Sequence, residues 1–279
     1  MTHAAITHAL IPCGGKGTRM LSLTRGAPKE LIEVAGMPVV ERVARECAAS
    51  GITDLMIVIA PGKDEIRERI GWMAGTHGMP ARIAFAVQEE ARGLADAIRL
   101  GREFAGGGPI AVALPDNLFV SETPALRQVM DLAAREGKSA VAIVAIAAEE
   151  AAERGATAIY SGEIVDDEYR ITHIPDKGAK SATFDTRGAK VAHTGVGRYA
   201  FGQRLWRAIE EVAATIQPGS ELDDVPVMQL LLNRSLLTGC LIRGRFLDVG
   251  LPSGYEDAVR LLSSKETTDE RMSADEREG

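Results

Sequence analysis

Short apolar runs alternate with helical stripes through the first half of the chain. "HALIP" (8–12), "LMIVIAP" (55–61), "RIAFAV" (82–87), "IAVALPD" (110–116) and "SAVAIVAI" (139–146) are apolar at nearly every position. Between them lie "VVERVARECAAS" (39–50), "KDEIRERIGWM" (63–73), "GLADAIRLGREFA" (93–105) and "TPALRQVMDLAAREG" (123–137), whose apolar residues recur at helical spacing. In the first of these helices Val39, Val40, Val43, Ala44, Cys47 and Ala48 share a face, and Gly51 stands where a C-cap would stop it. Continuous apolarity marks strands buried on both faces, as in a mostly parallel sheet covered by helices. The expected class is therefore α/β, a Rossmann-like three-layer arrangement with right-handed crossovers.

The texture changes after about residue 150. "TAIYSGEIVDDEYRITHIPDK" (157–177) reads as short strands with turns, and "HTGVGRYAF" (193–201) as another strand. Helical patterns follow in "QRLWRAIEEVAATI" and "DDVPVMQLLLNR", then a strand in "TGCLIRGRFLDVG" and a helix in "SGYEDAVRLLSS". No internal repeat and no Ser/Gly/Pro-rich linker interrupts this order. One domain over residues 1–263 is expected, with a small inserted β region. Residues 264–279 carry many charges and few apolar groups, so a disordered tail is expected there.

Composition narrows the class further. Of 279 residues 46% are hydrophobic and 25% charged, and the net charge is -7, which argues against nucleic acid and anionic membrane as partners. The three cysteines, Cys13, Cys47 and Cys240, show no metal spacing and read as free thiols of a reducing compartment. No apolar run reaches the ~18 residues of a membrane span. "MTHAAITHALIP" has no basic stretch ahead of a long apolar one, so a cytoplasmic location is expected. The five histidines lack ligand spacing, and Trp72 and Trp206 fall in helical patterns as packing residues.

Candidate chemistry begins at "IPCGGKGTR" (11–19), a glycine-rich turn after a strand, with "APKELIEV" (27–34) shortly beyond. A dinucleotide, a triphosphate and plain turn geometry are the possible occupants or reasons. The dinucleotide fingerprint fails, because GxGxxG counted from Gly15 places Leu21 where the last glycine belongs. The acidic residue it needs about 20 positions on, at the end of a second strand, is not supplied by Glu33 or Glu41. The Walker spacing is absent too. A nest of uncovered N–H groups, with Arg19 and Lys29 close by in sequence, suits anionic oxygens better than a bare turn does.

The stretch from residue 10 to 43 resembles the sugar-1-phosphate nucleotidyltransferases, with their xGGxGTR loop followed by PKxLxxV. The likeness is greatest to the bacterial UTP–glucose-1-phosphate uridylyltransferases and their dTTP-using relatives. It continues in "QEEARGLADAI", "VALPDN", "YRITHIPDK", "GVGRYAF", "GSELDD" and "FLDVGLPSGYEDA", in order, over residues 8 to 263. The resemblance implies attack of a sugar 1-phosphate on the α-phosphorus of a nucleoside triphosphate, UTP by default, with release of pyrophosphate. It implies Mg²⁺ held by Asp116 and Asp248, and phosphate contacts from Arg19, Lys29 and Lys177. Gly14, Gly15, Gly17, Thr18, Gln88, Gly93 and Asp116 fall on its nucleotide-binding positions, and Asp176, Glu221 and Gly197 on its sugar side. Homodimers or homotetramers are expected by the same likeness.

Several positions depart from that pattern. The family's Glu-Lys-Pro is Asp176-Lys177-Gly178 here, and its aromatic-glycine pair is Thr157-Ala158. The sugar side, a portion that the resemblance puts at about 150–235, is thus further from the family pattern than the triphosphate side. A dTTP-using enzyme, an enzyme for another sugar phosphate and a catalytically silent sugar-nucleotide-binding regulator are the competing readings.

Overall fold

The computed structural model describes residues 5–15, 17, 20–24, 26–149, 160–165, 168–175, 190–217 and 219–264. Strand β1 (His8–Cys13) leads through a one-turn helix α1 (Leu21–Thr24) to a small hairpin, β2 (Glu33–Val34) and β3 (Met37–Pro38). Helix α2 (Val39–Ala49), β4 (Asp54–Ile59), α3 (Asp64–Ile70) and β5 (Arg82–Val87) follow. Next come α4 (Leu94–Arg99), α5 (Gly101–Phe104), β6 (Ile110–Ala113), β7 (Asn117–Val120), α6 (Ala125–Glu136) and β8 (Ser139–Ala147). The second half supplies β9 (Ser161–Val165), β10 (Glu168–His173), β11 (Val191–Phe201), α7 (Arg204–Ala213) and α8 (Asp224–Asn233). It ends with β12 (Leu237–Leu241), β13 (Arg245–Asp248) and a helix α9 over 252–264.

Among the described residues, nine strands form one sheet in the order β5-β4-β1-β6-β11-β8-β12-β10-β9. The pairs β5–β4, β4–β1, β1–β6 and β8–β12 are parallel, while β11 runs antiparallel to both β6 and β8. Strand β10 is likewise antiparallel to β12 and β9, so all strands but β11 and β10 run in one direction, a mixed, mostly parallel sheet of the expected class. Alternate residues of β1 enter opposite cores: Ala9, Ile11 and Cys13 join one, Leu10 the other. Helices α2 and α6 cover the first face and α4, α7 and α8 the second. Burial on both faces is the physical reason for strands without polar alternation.

Helix α2 buries Val39, Val40, Val43, Ala44 and Cys47, and Gly51 follows it with φ of 94° in the left-handed region. Four expectations need correction. "GLADAIRLGREFA" is two short helices rather than one, with Leu100 between α4 and α5. "KDEIRERIGWM" leaves α-geometry after Ile70 for a 3₁₀ turn, Gly71–Met73, which turns Trp72 outward to 68% exposure. Trp72 is thus no packing residue, whereas Trp206 is buried and donates to Gly108 O at 2.8 Å. "TGCLIRGRFLDVG" breaks at Gly244, whose φ of 155° ends β12's continuation, so β13 pairs with β7 outside the main sheet. The expected tail lies outside the described residues apart from its first residue, Ser264. No helix among the described residues is long and apolar enough to cross a membrane.

Candidate active site

Parallel strands present their carboxyl ends along one edge, where open α/β sheets gather ligands. Three of those ends are the glycine turn after β1, Gln88 after β5, and Leu114–Asp116 after β6. Within the turn, a Cβ on Gly14 would stand 2.8 Å from Gln88 Oε1, so glycine permits the Gln88 amide to lie against the loop. Gly17 holds φ of 63°, and the aliphatic stem of Lys29 packs where its Cβ would be. No described atom lies within 4 Å of the Cβ position of Gly15, so the loop is open on that side among the described residues.

Pro28 leads into a single 3₁₀ turn, Lys29–Leu31, which sends its first two side chains to different neighbours. Lys29 Nζ donates to Asp116 Oδ2 at 2.5 Å. Glu30, only 1% exposed, takes both prongs of its carboxylate to Lys63 Nζ.

Asp116 sits on a loop fixed from several sides. Asn117, its neighbour, accepts from Gly197 N at Oδ1 (2.7 Å), and Val249 N donates to Asp116 O at 2.9 Å. Across the β7–β13 pair Asn117 faces Asp248. The Asp116 and Asp248 carboxylates consequently converge: Oδ2 of the first and Oδ1 of the second each lie 3.1 Å from where a Gly250 Cβ would stand. Gly250 N itself donates to Asp248 Oδ1 at 3.0 Å.

Gln88 is 7% exposed, and its amide nitrogen donates to Gly93 O and to Asp96 Oδ2. Gly93 opens α4 at φ of 104°, with the Leu222 carbonyl 2.4 Å from its Cβ position, so no side chain fits there. Through that contact the loop before α8, including exposed Glu221, lies beside the Gln88–Gly93 stretch. Gly197 packs against Leu114 and Asn117, where a Cβ would lie 2.4 Å from Leu114 Cβ. Gly14, Gly15, Gly17, Lys29, Gln88, Gly93, Asp116, Gly197, Glu221 and Asp248 are thus placed. Thr18, Arg19, Asp176 and Lys177 lie outside the described residues.

Two ion pairs escaped the motif reading. Lys63–Glu30 lies under the glycine turn. Arg198, fully buried, grips Glu46 and also donates to the carbonyls of Leu114, Gly197 and Asn117, with its guanidinium 5.0 Å from the Phe119 ring centroid. The Arg198 contacts straddle Asp116 and set the course of its loop. The signal in the sequence was weak, because Lys63 and Glu46 each fall on helical stripes where charge ordinarily faces solvent.

The cysteine at the turn is chemically quiet. Burial, and then the Glu30 carboxylate, push the Cys13 thiol well above its ordinary range. It stays protonated and is no nucleophile at neutral pH.

Two convergent carboxylates are oxygen donors of the kind that suits Mg²⁺, which commonly takes one or two carboxylates beside substrate phosphates and water. Among the described residues, no group of three or more His, Cys, Asp or Glu side chains could hold a metal ion.

A family model described as nucleotidyl transferase matches residues 8–265. A putative UTP–glucose-1-phosphate uridylyltransferase of Bacillus subtilis (strain 168) is 31% identical over 268 residues, covering 90% of this chain and 94% of the relative. Among solved structures, a UDP-glucose pyrophosphorylase complexed with UDP-glucose superposes with a TM-score of 0.77 at 23% identity, covering 93% of this chain and 99% of that one. A putative glucose-1-phosphate thymidylyltransferase from Bacillus anthracis does so with a TM-score of 0.74 at 21% identity, covering 92% and 95%. A pattern that runs through almost the whole sequence, on a fold shared nearly end to end, shows that this chain belongs to the nucleotidyl transferase family.

Proposed function

We propose that the protein joins a sugar 1-phosphate, glucose 1-phosphate first among them, to UTP. An oxygen of the sugar phosphate attacks the α-phosphorus, the bond to the β-phosphoryl oxygen breaks, and pyrophosphate leaves. Two polyanions must approach each other, so charge neutralisation and alignment carry most of the catalysis. The observation that carries this reading is the meeting of Lys29, Asp116 and Asp248 beside the glycine turn.

In this reading the glycine turn cradles the triphosphate, and Lys29 brings a point charge to its oxygens. Mg²⁺ bound by Asp116 and Asp248 would supply further positive charge to the phosphate oxygens. Arg19 and Lys177 are assigned to the same phosphates by their motif positions. Gln88 and Gly93 are assigned to the pyrimidine, with Gly14 at their side; Asp176, Glu221 and Gly197 are assigned to the sugar.

UTP is placed first because the Bacillus subtilis relative bears a UTP-using name at 31% identity. A dTTP-using enzyme is the second reading, favoured by the thymidylyltransferase among the structural neighbours. A silent regulator finds less support, since Lys29, Asp116 and Asp248 all remain and converge. The test is pyrophosphate release from a panel of nucleoside triphosphates crossed with sugar 1-phosphates. Release with UTP and glucose 1-phosphate above all other pairs is expected. A faster rate with dTTP would move the assignment to the second reading, and no release with any pair would dismiss both.

A further inference from the structure

The glycine turn is held from beneath by a group that carries no motif role. Lys63 precedes α3 and reaches back across the carboxyl edge of the sheet. Its ammonium donates to Cys13 O at 2.8 Å, to Gly15 O at 2.7 Å, and to Glu30 Oε1 and Oε2 at 2.9 and 2.8 Å. An ammonium has three donors and no acceptor. Two carbonyls and one carboxylate therefore occupy it fully. Both side chains are largely out of water, 14% exposed for Lys63 and 1% for Glu30, so each charge is neutralised by the other. A lysine committed in this way has no donor left for a phosphate.

What it fixes is direction. In a trans peptide the carbonyl and the amide hydrogen of one plane point opposite ways, and the described chain has no cis peptide bond. Holding Cys13 O toward Lys63 therefore turns the Gly14 N–H to the other side of the turn, and holding Gly15 O orients the next plane but one. Anion-binding nests work only when successive N–H groups face the ligand together. Without a side chain to lock them, glycine planes would otherwise rotate freely. The neighbouring residues Lys29 and Glu30 divide the labour: one stem packs on Gly17 and reaches Asp116, the other neutralises the brace.

We infer that Lys63, neutralised by Glu30, is a positioning residue of the nucleotide loop, setting the peptide orientation with which the loop meets the triphosphate. The inference rests on the reading that this loop binds a nucleoside triphosphate. Removing Lys63 alone also strands a buried carboxylate and two carbonyls, so loss of stability must be separated from loss of positioning.

The experiment compares the full-length wild type with Lys63→Met and with Lys63→Met/Glu30→Met, which removes both charges at similar volume. Thermal melting, UTP binding by calorimetry, and KM for UTP and for glucose 1-phosphate are read for each. Lys63→Met is expected to lower the melting temperature. The double variant is expected to regain most of that loss yet bind UTP more weakly by about tenfold, the scale of lost loop hydrogen bonds. KM for glucose 1-phosphate should stay within about twofold in the double variant, because the sugar side is a separate contact set. Should the single variant fail to fold, the double variant decides alone. Wild-type UTP affinity in the double variant would overturn the inference, reducing the pair to a structural one. Failure of the wild type to bind any nucleoside triphosphate would instead overturn the functional reading beneath it.

Discussion

Arg198 and Glu46 lie 152 residues apart and meet in a two-pronged ion pair, Nε to Oε1 at 3.0 Å and Nη2 to Oε2 at 2.7 Å. The pair joins β11 to α2, and the remaining guanidinium N–H groups hold the loop that carries Asp116. Breaking a buried pair by removing one partner costs about 3–5 kcal/mol, because the other charge is left uncompensated. Arg198→Met should therefore lower the unfolding free energy by about that amount in urea titration, and Arg198→Met/Glu46→Met by clearly less. A single variant within ~0.5 kcal/mol of wild type would show the pair to be energetically idle.

Asp116→Asn and Asp248→Asn remove a charge from the site without removing volume from either core. Each should slow pyrophosphate release by on the order of a hundredfold or more, as loss of an electrostatic group does in other active sites. Melting temperatures should change little. Near-normal rates in both variants would dismiss the metal assignment.

Gly250→Ala tests the convergence of those carboxylates from the opposite side. Its methyl group would stand 3.1 Å from an oxygen of each. The Mg²⁺ concentration for half-maximal activity should rise by about tenfold or more, the range found when surroundings of a metal site are altered. An unchanged Mg²⁺ titration in a folded, active variant would place the metal elsewhere.

The thiols give a prediction about pH. Burial raises Cys13 well above its ordinary range, and raises Cys47 and Cys240 to about 12. Thiolate is the reactive form, and its population grows as pH rises toward the thiol pKa. At pH 8 the native protein should react slowly with a thiol reagent and keep its activity, and denaturant should release all three cysteines to labelling. Rapid labelling of the native protein would contradict the buried environment.

The parallel block was legible because its strands are buried on both faces and its helices keep a clean apolar stripe, as in α2. The β7–β13 pair was not. Its second strand ran on from β12 in the sequence, and only the backbone at Gly244 separates them. Trp72 differs from its expected packing role for a related reason: helical spacing continues one turn beyond the point where the helix tightens. The glycines and carboxylates of the candidate site stand in short motifs that the family resemblance picks out. Glu30, Glu46, Lys63 and Arg198 act through partners distant in the chain or against the usual outward habit of charge, and no local pattern records that.

The register of β11 has a consequence for how this sequence can drift. Its pairing with β8 shifts between Val196 and Tyr199, and the two residues spared from that ladder are Gly197 and Arg198. Both are used instead on the segment that follows β6. Deleting both residues would restore an even ladder with β8, and would at the same stroke unhook the Asp116 loop. A substitution on β11 changes the contacts of one side chain; a change in its length shifts the register of every residue beyond it. The spacing between the strand's two halves should therefore be among the most rigidly inherited distances in this chain.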